Sequence, residues 1–172
     1  MAAEQPVRAA HLVDLDPPTL YALLRLRVDV FVVEQKCAYP ELDGRDTEPG
    51  TVHLWVPAQR WVPTPGAGPQ APDAAPPLAY ARLLFDPDGT ARIGRVCTAR
   101  EARGRGLAGL LVTRALHLAG DRPCVLDAQS YLVGFYRALG FAPTGPEYVE
   151  DGIPHIPMRR EPNRRREPDS RR

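Results

Sequence analysis

The residues best suited to chemistry lie at Arg103-Gly104-Arg105-Gly106-Leu107-Ala108. They follow an apolar stretch ending at Thr98 and open a run with helical spacing. A helix start presents backbone N–H groups without partners and a partial positive charge. Glycine lets an anion approach the backbone, and two arginines add charge. The segment therefore suits a pyrophosphate, although a glycine-rich helix start also serves as a plain tight turn. A P-loop is excluded, because no Gly-Lys-[Ser/Thr] follows. A dinucleotide fold is excluded as well, because the preceding strand belongs to a hairpin. A second group runs from Val125-Leu126-Asp127-Ala128 through Gln129 to Phe135-Tyr136 and Gly140-Phe141. Taken alone, Tyr136 reads as a core aromatic with its hydroxyl bonded at the surface. Cys97, within a strand, reads as a small packed hydrophobe.

These residues need a scaffold, and the chain supplies alternating elements. His11 to Leu15 reads as a short strand. Asp16-Pro17-Pro18 is an N-cap with proline at the first helical position. Leu20, Leu23, Leu24, Val28 and Phe31 then recur with helical spacing, predicting a helix from about Pro17 to Val33. Strands follow at Val52–Val56, Leu78–Phe85 and Ala91–Thr98. Asp86-Pro87-Asp88-Gly89 makes the last two an antiparallel hairpin. A helix from about Arg105 to Ala119 carries Leu107, Leu110, Leu111, Ala115 and Leu118 on one side, and Gly120 suits its C-terminus. Val125–Ala128 is a strand and Tyr131–Leu139 a helix closed by Gly140. Phe141 to Met158 reads as two strands turning at Glu150-Asp151-Gly152. The sum is an α/β domain with a mixed sheet.

The chain has 172 residues, with 44% hydrophobic and 25% charged, which suits one globular domain. No apolar run approaches the ~18–20 residues of a membrane span. Met1–Ala10 carries Glu4 and Arg8 without an apolar stretch, so no signal peptide is expected. The net charge of +1 gives no electrostatic footprint for nucleic acid. Three cysteines, Cys37, Cys97 and Cys124, lack CxxC spacing, which argues against a zinc site and for a reducing, cytoplasmic setting. Residues 57–77 hold seven prolines and read as a mobile loop; residues 161–172, rich in arginine, read as a disordered tail. One domain over residues 1–160 is the resulting expectation.

Together, Arg-x-x-Gly-x-Ala after a strand and Phe-Tyr-x-x-x-Gly-Phe about thirty residues later resemble the GNAT superfamily of acetyl-CoA-dependent N-acetyltransferases. The segments Arg27–Gln35 with Tyr39, Asp43-Gly44 and Asp46, then Ile93-Gly94-Arg95-Val96, and Glu150–His155 are similar to its ElaA-like group. The resemblance spans roughly residues 8–160. It implies a mixed, mostly antiparallel sheet splayed at a cofactor slot and flanked by about four helices. Val96, Cys97 and Thr98 would pair through their backbone with the pantetheine arm of acetyl-CoA. Arg103, Gly104, Arg105, Gly106, Leu107 and Ala108 would hold the pyrophosphate through backbone N–H groups. Gln129 stands where many relatives carry asparagine, Ala108 where the last glycine is more frequent, and Thr98 where an aliphatic residue is usual.

The resemblance also makes Tyr136 the general acid that protonates the departing thiolate. A phenol with a pKa of ~10 stays protonated at neutral pH and can do so. The acceptor would lie between the loop after the first helix and the final hairpin, where Tyr39, Asp43, Asp46 and Asp151 would meet it. Acids there suit a cationic amine of a small molecule or peptide, while several are also good turn formers. Glu34 ends a largely apolar run, which predicts partial burial and a raised pKa; with His155 it is the candidate base. No metal is implied, and a homodimer fits the superfamily. The expected function is transfer of acetyl from acetyl-CoA to a primary amine by direct attack in a ternary complex. A non-catalytic acyl-CoA binding or sensing module on the same fold is the alternative.

Overall fold

The computed structural model describes residues 7–58 and 76–162. The proline-rich connection over 59–75 and the tail from 163 lie outside the described residues, so the reading of both as mobile stands as an expectation. The strands are β1 (Arg8–Ala10), β2 (Val52–Pro57), β3 (Pro77–Phe85), β4 (Ala91–Thr98), β5 (Cys124–Gln129), β6 (Ala142–Pro143), β7 (Tyr148–Glu150) and β8 (Ile153–Arg160). They form one sheet in the order β1-β2-β3-β4-β5-β8-β6, with β7 also on β8. Three α-helices flank it among the described residues: α1 (Pro17–Arg27), α2 (Leu107–Ala119) and α3 (Val133–Ala138).

Local chemistry explains most of these boundaries. Asp16 caps α1: its Oδ1 accepts from the Thr19 N–H at 2.8 Å and its Oδ2 from the Thr19 hydroxyl at 2.7 Å. Beyond Arg27 the helix does not stop but widens into a π-helical segment, Val28–Glu34. There the Gln35 N–H donates to the Val30 carbonyl five residues back. The predicted helix to Val33 is thus present but underwound at its end. The predicted first strand is displaced. β1 is Arg8–Ala10, and Leu12–Asp14 forms a 3₁₀ turn. Val13 in that turn is 89% exposed, while Leu15 just after it packs partly buried against the core, so 12–15 does not alternate as a strand. α2 starts at Leu107, two residues later than expected, because Gly106 takes φ 73° as its N-cap.

The core joins both faces of the sheet. Leu54, Val56, Leu83 and Ile93 from the strands are buried, as are Leu23 and Leu26 of α1 and Leu107, Leu111, Val112 and Ala115 of α2. Burying each leucine contributes about 1.5–3 kcal/mol. Leu110, expected on the inner side of α2, is 38% exposed, and Val112 takes that place.

Two irregularities interrupt the sheet around β4. First, β4 and β5 are parallel and pair only at Ala91–Cys124 and Arg92–Val125. Beyond those two residues they diverge, which leaves the facing edge of β4 without a strand partner among the described residues. Second, the β3–β4 register shifts between Tyr80–Cys97 and Arg82–Gly94. Ala81 therefore opposes both Arg95 and Val96, a β-bulge that bends the strand and increases its twist.

Candidate active site

The divergence of β4 and β5 opens a cavity of about 830 Å³. Val96, Cys97 and Thr98 line it from β4, Gln129 from the end of β5, and Tyr136 from α3. At its mouth lies the turn before α2. Gly104 and Gly106 have φ of 75° and 73°, and a Cβ on either would meet nothing within 4 Å. Their role is conformational: both hold the left-handed backbone that turns the chain from Arg103 into α2. Among the described residues no side chain caps this helix, so its first N–H groups stay available. Ala108 lines the cavity, whereas Gly104, Arg105 and Gly106 form an exposed rim and Leu107 anchors the turn in the core. Gln129 donates from Nε2 to Gln35 Oε1 at 3.0 Å, which ties β5 to the end of the π-helical segment.

Tyr136 is 6% exposed, with its ring edge-on to Phe135 and Phe141 at 4.9 and 6.0 Å. Gly140 at φ 88° reverses the chain after α3, and the Phe141 N–H returns to the Tyr136 carbonyl. The Phe-Tyr-x-x-x-Gly-Phe pattern is thus a packing unit that fixes one phenol. Burial pushes that phenol up to about 12. It stays protonated at neutral pH as a donor facing the cavity.

The other end of the cavity is made of side chains. His155 lies on β8 opposite Gln129 and stacks on Tyr148 at 5.8 Å. Its Nδ1 lies 2.8 Å from the Ile153 carbonyl, so Nδ1 carries a proton, and in the neutral tautomer Nε2 is the acceptor. Asp151 and Gly152 form the tight turn between β7 and β8, with φ of 49° and 77°, and Asp151 borders the cavity. Glu34 borders it too, but not as an isolated carboxylate. Arg103 donates to both of its oxygens at 2.7 and 3.0 Å, and Arg100 approaches to 3.4 Å. The Arg103 fork holds Glu34 below the ordinary carboxylate range, the reverse of the raised pKa expected from the apolar run before it.

The residues expected to meet the acceptor divide. Tyr39 and Asp43 border the cavity, whereas Asp46 does not. Asp46 is buried behind it, accepting from Arg27 at 2.7 Å and from Arg82 at 3.0 Å. It belongs to a group that sequence reasoning missed. Arg27 also donates to Glu41 at 2.6 Å, and Arg82 forks onto Asp43 at 2.8 and 2.6 Å. Arg95 closes the set, 2.8 Å from Glu41 and 3.3 Å from Asp43. Three guanidinium groups thus balance three carboxylates. Burial acts to raise Asp43, but the Arg82 fork outweighs it and holds the carboxyl at about 2. His53 lies beneath, fully buried, between the Tyr80 hydroxyl at 2.8 Å and the Asp46 carbonyl at 3.3 Å. Burial lowers its pKa, so it is a neutral structural link.

The chain matches the family model described as acetyltransferase (GNAT) domain over residues 75–162. It is 46% identical over 150 residues to a UPF0039 protein of Mycobacterium tuberculosis, covering 86% of this chain and 87% of that one. It is 37% identical over 159 residues to protein ElaA of Escherichia coli, covering 88% and 93%. Among solved structures, an acyl-CoA N-acyltransferase from Pseudomonas aeruginosa shares 42% identity at a TM-score of 0.75, covering 90% of this chain and 98% of that one. The crystal structure of Escherichia coli ElaA superposes with a TM-score of 0.77 at 34% identity, covering 91% and 99%.

Proposed function

Because the chain belongs to the GNAT acetyltransferase family, we propose that it transfers the acetyl group of acetyl-CoA to a primary amine by direct attack, both substrates being bound together. The observation that carries this reading is the Tyr136 phenol, buried and protonated, in one cavity with the unpaired edge of β4, with the glycine turn at its mouth. Acetyl-CoA supplies a thioester carbonyl and a thiol leaving group. The β4 edge at Val96–Thr98 binds the pantetheine amides. Backbone N–H groups from Gly104 to Ala108 bind the pyrophosphate, as a helix N-terminus does for anions generally. Gln129 adds an amide at the slot.

A donor aimed where negative charge develops stabilises the transition state; the backbone N–H at Val96 or Cys97 takes that role. The acceptor must lose a proton to attack. His155 Nε2 is the better-prepared base, since its Nδ1–H is fixed on a carbonyl while Glu34 is engaged by Arg103. Glu34 remains a base only where Arg103 releases it. Tyr136 then gives its proton to the thiolate sulfur and regains one from the nitrogen as the amide forms. Asp151 and Tyr39 frame the acceptor, a small molecule or peptide with a cationic amine.

The test is thiol release from acetyl-CoA across a panel of amines, beside calorimetric binding of CoA. Tyr136→Phe should lower kcat by about 10²–10⁴-fold and leave CoA affinity nearly unchanged, because only a hydroxyl is lost. Full activity in that variant removes Tyr136 as the acid. CoA binding without thiol release for any amine favours the sensing module instead.

A further inference from the structure

The bulge in β4 contains a conformation its residue does not favour. The first residue of such a bulge, when left-handed, is ordinarily glycine. Here a glycine stands one position earlier, at Gly94, yet the left-handed backbone falls on Arg95, at φ 55°. A residue with a side chain stays in that region only where its surroundings over-determine it. The surroundings of Arg95 do so. Its Nε lies 2.8 Å from Glu41 Oε2, although the N–H is not aimed squarely at that oxygen. Its NH2 group reaches Asp43 Oδ2 at 3.3 Å and the Glu41 carbonyl at 3.5 Å. The guanidinium also lies over the Tyr39 ring, 5.0 Å from its centroid. Glu41 and Asp43 are in turn held by Arg27 and Arg82, so the grip on Arg95 is anchored to α1 and β3.

The bulge sets what β4 offers to the slot. The extra residue changes the strand's phase, so that Gly94 and Cys97, facing Arg82 and Tyr80, share one face although three apart. Val96 and Cys97 follow directly after the strained position, where a backbone donor is needed. We propose that Arg95 is a positioning residue: clamped by Glu41, Asp43 and Tyr39, its side chain holds the β4 bulge left-handed, aims the following amides into the slot, and fastens the acceptor loop at 39–43 to that same strand. The consequence for rate rests on the acetyltransferase reading; the consequence for the backbone does not.

Glycine, alanine and lysine at position 95 separate these contributions. Glycine takes the left-handed conformation freely but has no clamp. Alanine has neither the freedom nor the clamp. Lysine is a single point charge that cannot fork onto two carboxylates. In the free protein, amide hydrogen exchange in the β3–β4 ladder on either side of the bulge should quicken about tenfold in Arg95→Ala and stay near wild type in Arg95→Gly, because only alanine resists the left-handed state. Exchange over 39–43 should quicken in both. With acetyl-CoA and an active amine, Arg95→Ala should lose at least about tenfold in kcat, somewhat less than deleting an oxyanion donor outright. Arg95→Gly should recover most of kcat while KM for the amine stays raised, and CoA affinity should hardly move in either. Arg95→Lys should fall between, and it stands in for alanine if that variant does not fold. Equal kcat loss in the glycine and alanine variants would overturn the proposal, as would wild-type behaviour in alanine or lysine. If no amine is acetylated at all, the acetyltransferase reading fails while the exchange rates still decide the clamp.

Discussion

The two ends of the cavity are built from different materials. At the mouth, the working groups are backbone: the open edge of β4 and the uncapped start of α2, set by two left-handed glycines. At the far end, the chain supplies side chains held by charge, with Asp43 and Arg95 joined to a buried layer of Arg27, Glu41, Asp46 and Arg82. A backbone site depends on the path of the chain and tolerates many residue types along it. A charge-built wall depends on each partner, because a buried ion left alone is costly. Mutations at the two ends should therefore fail in different ways: at the wall through stability, at the mouth through conformation.

The largest effect is expected at the wall. Arg27 is fully buried and satisfies Glu41 and Asp46 at 2.6 and 2.7 Å. Arg27→Met keeps much of the volume but leaves both carboxylates short of a counter-charge. Breaking a buried pair this way costs about 3–5 kcal/mol, and Arg82 and Arg95 offset only part of that here. Urea unfolding should show the loss directly. A variant as stable as wild type would mean that Arg82 and Arg95 suffice and that Arg27 is dispensable to the wall.

A smaller effect comes from His53 beneath the same wall. Its folded pKa is depressed, since burial disfavours the charged ring. The sign is set by linkage. Above the unfolded value of ~6.5 both states are neutral and its contribution is fully present. Below that value the unfolded chain binds a proton that the folded one refuses, so stability falls as pH drops toward the folded pKa. The slope from this one group approaches about 1.4 kcal/mol per pH unit. Stability measured in urea at pH 7.5, 6 and 5 should decline over that interval. In His53→Gln that interval should flatten from a lower starting level. A flat wild-type profile to pH 5 would mean that burial does not depress the His53 pKa, and a rising one that the wall holds the ring charged.

The same division explains what could be read from the chain. The mouth is legible because its signals are local: glycines at a helix start, Asp86-Pro87-Asp88-Gly89 for the β3–β4 hairpin, and Phe-Tyr-x-x-x-Gly-Phe around Tyr136. The wall is not. Asp43 and Asp46 look like turn formers or acceptor ligands because their partner Arg82 is 36 to 39 residues away. Glu34 looks partly buried because Val28–Val33 is largely apolar, but Arg103, 69 residues on, decides its charge state. The bulge misleads in another way. Gly94 advertises conformational freedom, while the strain falls on its neighbour because the side chain of Arg95 has partners to hold it.

The smallest effect is expected at the mouth and tests whether that end is made of backbone alone. Gly106→Ala adds a methyl group that meets nothing within 4 Å, so no clash opposes it. It does face φ 73°, where a Cβ costs about 1–2 kcal/mol. For a chain of this size that corresponds to a fall in Tm of about 3–6 °C. The amides of the turn are still present, and if the native path survives they still point where the proposed pyrophosphate site lies. CoA affinity should therefore drop by no more than about threefold, the residue of a slightly less populated turn. A binding loss much greater than the stability loss would mean that the phosphate packs against the Gly106 Cα itself. The mouth would then select for the absence of a side chain as strictly as the wall selects for its charges.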